Sequence, residues 1–233
     1  MGVIHVCYRF GFDDGGQESF DINIDEKTLE LIGPYPEKPP AWTALDFHQC
    51  PMCPLSIDTH AYCPMAAHLA NIVERFNNVR SFDKVDLEVI MDNRISATKT
   101  TAQRAISSLM GLVIATSGCP VTSFFKPMAR FHLPMANEGE TLYRAASTYL
   151  LAQYFACKQG NDADLELDGL TKTYTDVQML NVAMARRLRD AINEDASVNA
   201  VICLDVFAKA MPYAIEDSLE PLRVLFNQYL DQP

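Results

Sequence analysis

His48-Gln49-Cys50-Pro51-Met52-Cys53-Pro54, with Tyr62-Cys63-Pro64 close behind, divides this chain of 233 residues into two unlike parts. Before it lie short alternating segments rich in β-formers. After Pro64, apolar residues recur mostly at helical spacing. An echo of the stretch follows at Ser117-Gly118-Cys119-Pro120. Seven cysteines occur, and Cys50, Cys53, Cys63 and Cys119 are each followed directly by proline. At ordinary proline usage, four such pairs by accident have a probability on the order of one in a few thousand. Cys7, Cys157 and Cys203 sit in apolar runs without the proline. Two populations of cysteine are therefore present, and one has the count of a four-thiolate site.

Upstream, Val3 to Phe10 reads as a strand, Gly11 to Gly16 as a turn, and Phe20 to Asp25 as a half-buried strand. Thr28 to Ile32 is expected to add a third strand, making residues 1–33 an antiparallel meander. Three strands with one apolar face do not stand alone, so the meander should dock on the rest. His5 reads as a satisfied strand histidine. Pro34, Pro36, Pro39 and Pro40 impose an extended segment that ends near Trp42.

Downstream, the cysteine-bearing body spans 42–233. Met65, Leu69, Ile72, Val73 and Phe76 predict a helix from Pro64 to about Asn77. Val85 to Met91 reads as a strand. Thr100 or Thr101 can cap a helix over Ala102 to Thr116 that Ser117-Gly118 ends. A short helix broken or begun at Pro127 follows, then a strongly apolar helix over Glu140 to Cys157 that should be buried on most sides. The loop with Asp162, Asp164, Glu166 and Asp168 lacks the order of a calcium-binding EF-hand and reads as solvated. Val177 to Leu188 and Val198 to Met211 mark two more helices, the second stopped by Pro212, and Ser218 to Leu230 closes the chain. The fold class is α+β: a small antiparallel β-sheet packed on a predominantly α-helical body, with 1–33 and 42–233 forming one unit.

The formal charge is −11, with 30 acidic against 19 basic residues, which argues against nucleic acid or an anionic membrane as partner. Arg186, Arg187 and Arg189 read as a solvated helix face. The N-terminus shows no secretory signal, and Val6 breaks the myristoylation pattern. The apolar run Leu109 to Ala115 is too short to span a bilayer. A cytoplasmic location is expected, where clustered thiols stay reduced and serve as metal ligands more readily than as disulfides.

Cys-x2-Cys lets two thiolates on one turn meet the same metal or cluster. Here nine residues separate that pair from Cys63, and fifty-five more lie before Cys119, so one loop and a distant segment would share the site. Pro64 and Pro120 each open a candidate helix, which places Cys63 and Cys119 at N-cap positions where free amides favour a thiolate. A zinc knuckle ordinarily brings a second Cys-x2-Cys pair, and none exists here. His48, His132 or Arg130 are the candidates to substitute for a ligand or support one. An iron–sulfur cluster, 4Fe-4S by the thiolate count, is favoured over zinc as the cofactor.

Locally, Thr116-Ser117-Gly118-Cys119-Pro120 resembles the Gly-Cys-Pro ligand segments of sirohaem-dependent sulfite and nitrite reductases and of hydrogenase small subunits. The further cysteines of those families are missing after the proline, so the likeness implies a geometry suited to a cluster ligand and no activity. Across most of its length the chain also resembles a bacterial family of uncharacterised proteins. The residues that carry this are Cys50-Pro51-Met52-Cys53-Pro54-Leu55, Ser117-Gly118-Cys119-Pro120, Met128-Ala129-Arg130-Phe131-His132-Leu133-Pro134 and Tyr149-Leu150-Leu151-Ala152-Gln153-Tyr154-Phe155.

The expected function is thus a metal–thiolate protein with a redox or cluster-dependent role, with a protein redox partner or a second copy as its company. The alternatives are a zinc-stapled interaction module without catalysis, and a thiol enzyme using Cys119 with His132 as base. Arg144, with Arg130 and His132, could hold an anion near Cys119, though packing is the commoner role. Met52, Met65, Met110, Met128 and Met135 read as core filler.

Overall fold

Val6, Tyr8 and Phe10 recur with the period of two that a strand requires, and all three are buried against the helices. In the computed structural model, which describes residues 2–33, 36–191, 195–217 and 219–230, they lie on β1 (Val3–Phe12). β1 pairs with β2 (Gln17–Asp25) across the glycine-rich turn. Its other edge takes β3 (Lys84–Met91), which forms a hairpin with β4 (Arg94–Thr101). The sheet is antiparallel throughout, in the order β2-β1-β3-β4.

The expected third strand at Thr28 to Ile32 does not form. Only a single bridge, Ile24 to Leu31, marks the place, and the Leu31 amide donates to the carbonyl of Thr116 instead. The free edge of β1 is filled from the helical body, so residues 1–33 are half of a sheet rather than a meander of their own. β4 escapes sequence reading because no residue of it is buried, which leaves no apolar period to detect. Pro34 and Ser218, at the edges of two expected segments, lie outside the described residues.

The inner face of the sheet packs on α1 (Pro64–Arg75) and α2 (Ala102–Thr116), with Phe10, Phe20 and Phe76 in mutual ring contact. Thr101 is the N-cap of α2. At its other end Gly118 takes φ +79°, the left-handed conformation that closes a helix and that glycine adopts without strain. A 3-10 turn (Pro120–Phe125) and α3 (Lys126–Arg130) follow. α4 (Glu138–Lys158) starts from a reciprocal cap between Asn137 and Glu140. It buries only Leu142, Ala145 and Ala146, so the expectation of a helix buried on most sides is corrected. Leu151, Tyr154 and Phe155 are exposed.

The acidic loop after α4 is built around Asp164. Its carboxylate accepts from the Tyr149 hydroxyl at 2.7 Å and from the Gly169 amide at 2.9 Å, tying α4 to the start of α5 (Asp168–Arg189). α6 (Ala196–Glu216) packs along α2 and α5. By length and composition it is apolar enough to cross a membrane, which the run Leu109 to Ala115 did not foretell. The chain ends in short pieces, α7 (Glu220–Arg223), a 3-10 turn and α8 (Asn227–Leu230), rather than one helix.

Pro212 does not stop α6, which runs a turn beyond it. A proline inside a helix leaves the carbonyl four residues back without its donor. That carbonyl belongs to Ala208, and the side-chain amide of Gln178 on α5 donates to it at 3.0 Å. Gln178→Ala is therefore expected to cost about 1 kcal/mol in urea unfolding. In a Pro212→Ala background, where the helical N–H returns, the same substitution should cost almost nothing. Equal losses in both backgrounds would refute this pairing.

Candidate metal–thiolate site

Cys63 and Cys119 occupy the positions their prolines imply. Cys63 is the N-cap of α1, with φ −70° and ψ 118°, and Pro64 follows at the first helical position. Cys119 is the N-cap of the 3-10 turn, with φ −66° and ψ 123°, and Pro120 follows likewise. Both thiols are buried. Burial pushes the Cys63 thiol up, opposed by the amide of Ala66, the Arg187 guanidinium and the amide of Met65. Cys119 is pushed up in the same way, opposed by the amides of Val121 and Thr122 and the Thr122 hydroxyl. Neither cap is a full hydrogen bond within ordinary limits. The amides nonetheless aim a positive potential at each sulfur.

Cys50 and Cys53 share a tight turn in which the Cys53 amide donates to the Cys50 carbonyl at 3.0 Å. Both are partly buried against the core. Cys50 lies within electrostatic reach of the other three, and Cys63 within reach of Cys53 and Cys119. The Cys50 thiol is pushed up to about 12, first by burial and then by Cys63, Cys119 and Cys53, with Arg187 acting in the opposite sense. A thiol so placed gives up its proton only when a cation compensates the charge.

The loop that carries the pair is anchored at its base. Leu45 donates to the Ala61 carbonyl at 3.1 Å and Cys63 to the Thr43 carbonyl at 2.8 Å. Arg187 reaches in from α5 and holds this base, donating to the carbonyls of Trp42, Ala44 and Leu45 at 2.8, 2.7 and 3.0 Å. It is 1% exposed, which corrects the reading of Arg186, Arg187 and Arg189 as one solvated face. Among the described residues no carboxylate pairs with it. A buried guanidinium facing thiols is the residue that sequence reasoning missed. Its signal was faint: Met184, Arg187 and Leu188 share one helical face.

The suggested substitutes are engaged elsewhere. His48, at φ 49°, pairs with Asp190 at 2.8 Å. Arg130 pairs with Glu26 and lies over the ring of Phe131. His132 accepts or donates at 2.5 Å to the hydroxyl of Tyr8, which also meets Ser108 at 2.9 Å. Among the described residues, no group of three or more His, Cys, Asp or Glu side chains stands close enough to hold a single metal ion as placed.

Burial pushes His132 down to about 3, helped by Arg144 and Arg94. The unfolded chain takes up a proton near pH 6.5 that the folded chain refuses, so stability falls as pH drops through 6.5. Full linkage amounts to about 2 kcal/mol at pH 5. The ring is only part-buried, beside an open cavity, so about half of that is expected. Urea unfolding at pH 7.5 and 5.0 should show this loss, and His132→Gln should remove it. An unchanged pH dependence in that variant would assign the loss to other groups.

In comparisons with known proteins, a family model of a domain of unknown function matches the chain over residues 6–227. No curated protein and no solved structure matches.

Proposed function

We propose that this chain, which belongs to the family of the domain of unknown function DUF6901, is a metal–thiolate protein that holds an iron–sulfur cluster through Cys50, Cys53, Cys63 and Cys119. The observation that carries the reading is the coupling of the Cys50 thiol to Cys53, Cys63 and Cys119, beside a buried, carboxylate-free Arg187 that acts on Cys50 and Cys63. Four thiolates on a metal centre bear net negative charge, and the guanidinium and the two sets of helix-start amides are the groups that would balance it. A single zinc ion gathers four sulfurs at about 2.3 Å around one point. Among the described residues the thiols are not gathered in that way. A four-iron cluster gives each thiolate its own iron, and what supports it over zinc is the lack of a second Cys-x2-Cys pair in the sequence.

When bound, such a cluster supplies one-electron chemistry. The protein's part is to hold the thiolates, to compensate their charge through Arg187, and to shield the centre with Trp42 and Leu45. The zinc-stapled module remains the second reading, because the same four thiols serve either centre. A thiol enzyme on Cys119 is disfavoured. Its sulfur is pushed up rather than down, and His132 is bound to Tyr8.

Protein purified without oxygen and analysed for metal tests the reading. Brown material with iron and acid-labile sulfide in equal amounts is the expected result. Colourless protein with one stoichiometric zinc replaces the cluster by the staple. Protein that takes up neither under reconstitution overturns both.

A further inference from the structure

α2, α3, α5 and α6 leave a cavity of about 450 Å³ between them, open to solvent on one side. Its walls are mostly apolar, with Phe125, Met128, Leu204 and Phe207 among them. This is the size and character of a small-molecule site, for which pockets run from about 300 to 1,000 Å³.

The charged groups on its walls are of one sign. The chain has 30 acidic residues, yet no Asp or Glu lines the cavity, while Arg104 and Arg144 do. Arg104 is exposed, and Arg144 is half-buried. The hydrogen bonds of Arg144 go to the carbonyls of Met128 at 2.6 Å and Phe131 at 3.1 Å, so its charge meets no carboxylate there. The nearest acid on its own helix is Glu140, which is held by the cap at Asn137. Tyr174, which is 3% exposed, lies within electrostatic reach of Arg144 and lines the same space.

A second observation is independent of charge. Asn181 is 3% exposed, lines the cavity, and its side-chain nitrogen has no hydrogen-bond partner. An orphaned buried donor costs about 1–3 kcal/mol, a cost that an acceptor brought by a ligand removes. Asn181 stands seven residues after Tyr174 on α5, on the same face and about 10 Å along the axis.

We propose that this cavity binds an apolar carboxylic acid with an oxygen acceptor on its chain, its carboxylate taken by Arg144 and Tyr174 and the acceptor by Asn181. The apolar walls take the body of the ligand. The one-sign charge of the walls rejects cations, and Asn181 distinguishes an oxo or hydroxy acid from a plain one. None of the four Cys-Pro thiols lines the cavity, so this proposal does not depend on the metal they bind.

Titration calorimetry of the full chain with decanoate, decanol, decylammonium and 9-oxodecanoate tests this. Decanoate should bind at least tenfold more tightly than decanol, decylammonium should not bind, and 9-oxodecanoate should exceed decanoate several-fold. Asn181→Leu should erase the advantage of the oxo acid while leaving decanoate bound. Arg144→Gln should erase the preference for decanoate over decanol. Because Arg144 also ties down Met128 and Phe131, the comparison of ligands on the unaltered protein decides the matter if that variant does not fold. Equal binding of decanoate and decanol, tighter binding of decylammonium, or no binding of any probe at millimolar concentration would overturn the proposal. An oxo acid no better than decanoate, or one whose advantage survives Asn181→Leu, would overturn the role of Asn181.

Discussion

Replacing Cys119 by alanine is expected to strip the reconstituted protein of its metal and to lower its stability by several kcal/mol, since ligand binding energy is folding energy in such sites. Cys119 follows Gly118 after the end of α2, fifty-six residues beyond Cys63, so on the proposed ligand set its thiolate would tie the Cys50–Cys53 loop to the helical core. Cys50→Ala, Cys53→Ala and Cys63→Ala should also lose metal, with Cys119→Ala the most destabilised of the four. Cys157 is exposed and Cys203 half-buried, and neither is among the groups that couple to Cys50. Cys157→Ala should be almost neutral, and Cys203→Ala should cost about 1 kcal/mol or less. Both should keep their full metal content by elemental analysis. A Cys119→Ala protein that retains iron while Cys203→Ala loses it would require a different ligand set.

Arg187→Leu is expected to be the most damaging substitution outside the cysteines. It removes three hydrogen bonds at once and leaves the carbonyls of Trp42, Ala44 and Leu45, at the base of the cysteine loop, without their donor. A buried carbonyl left without its donor costs about 1–3 kcal/mol, and three are affected, against a total stability on the order of 5–15 kcal/mol. Arg187→Lys keeps the charge, but a point charge cannot span three carbonyls as the planar fork does, so only part of the loss should return. Urea unfolding of metal-free protein measures the structural part. Metal retention in Arg187→Lys against Arg187→Leu reports the electrostatic part, because only the lysine still balances the thiolates. A loss below about 1 kcal/mol for Arg187→Leu would mean that the loop does not depend on this anchor.

Several features follow from local chemistry and are legible in the chain alone. Proline is favoured at the first position of a helix, so Cys63-Pro64 and Cys119-Pro120 announced both helix starts and the caps before them. The alternation of Val85, Leu87 and Val89 announced β3, and the turn at Gly11 to Gly16 announced the β1–β2 hairpin. A likeness to an uncharacterised family was also legible, and the family model over residues 6–227 bears it out.

Other features rest on partners far away in sequence, and no local pattern encodes them. β1 takes its second neighbour, β3, from beyond the cysteine stretch, while Thr28 to Ile32 lies along β2 with one bridge and gives the Leu31 amide to Thr116. A helix can pass through Pro212 only because Gln178 supplies the missing donor from another helix. Arg187 looks like its surface neighbours Arg186 and Arg189 until α5 is packed and three carbonyls some 140 residues earlier close around it. The cavity beside Arg144 and Asn181 exists only between assembled helices. Sequence by itself determined where chain segments begin, end and alternate, because those depend on neighbours a few residues apart. Tertiary structure decided which charges and amides are buried together, because desolvation depends on everything that packs around a group, wherever in the chain it lies.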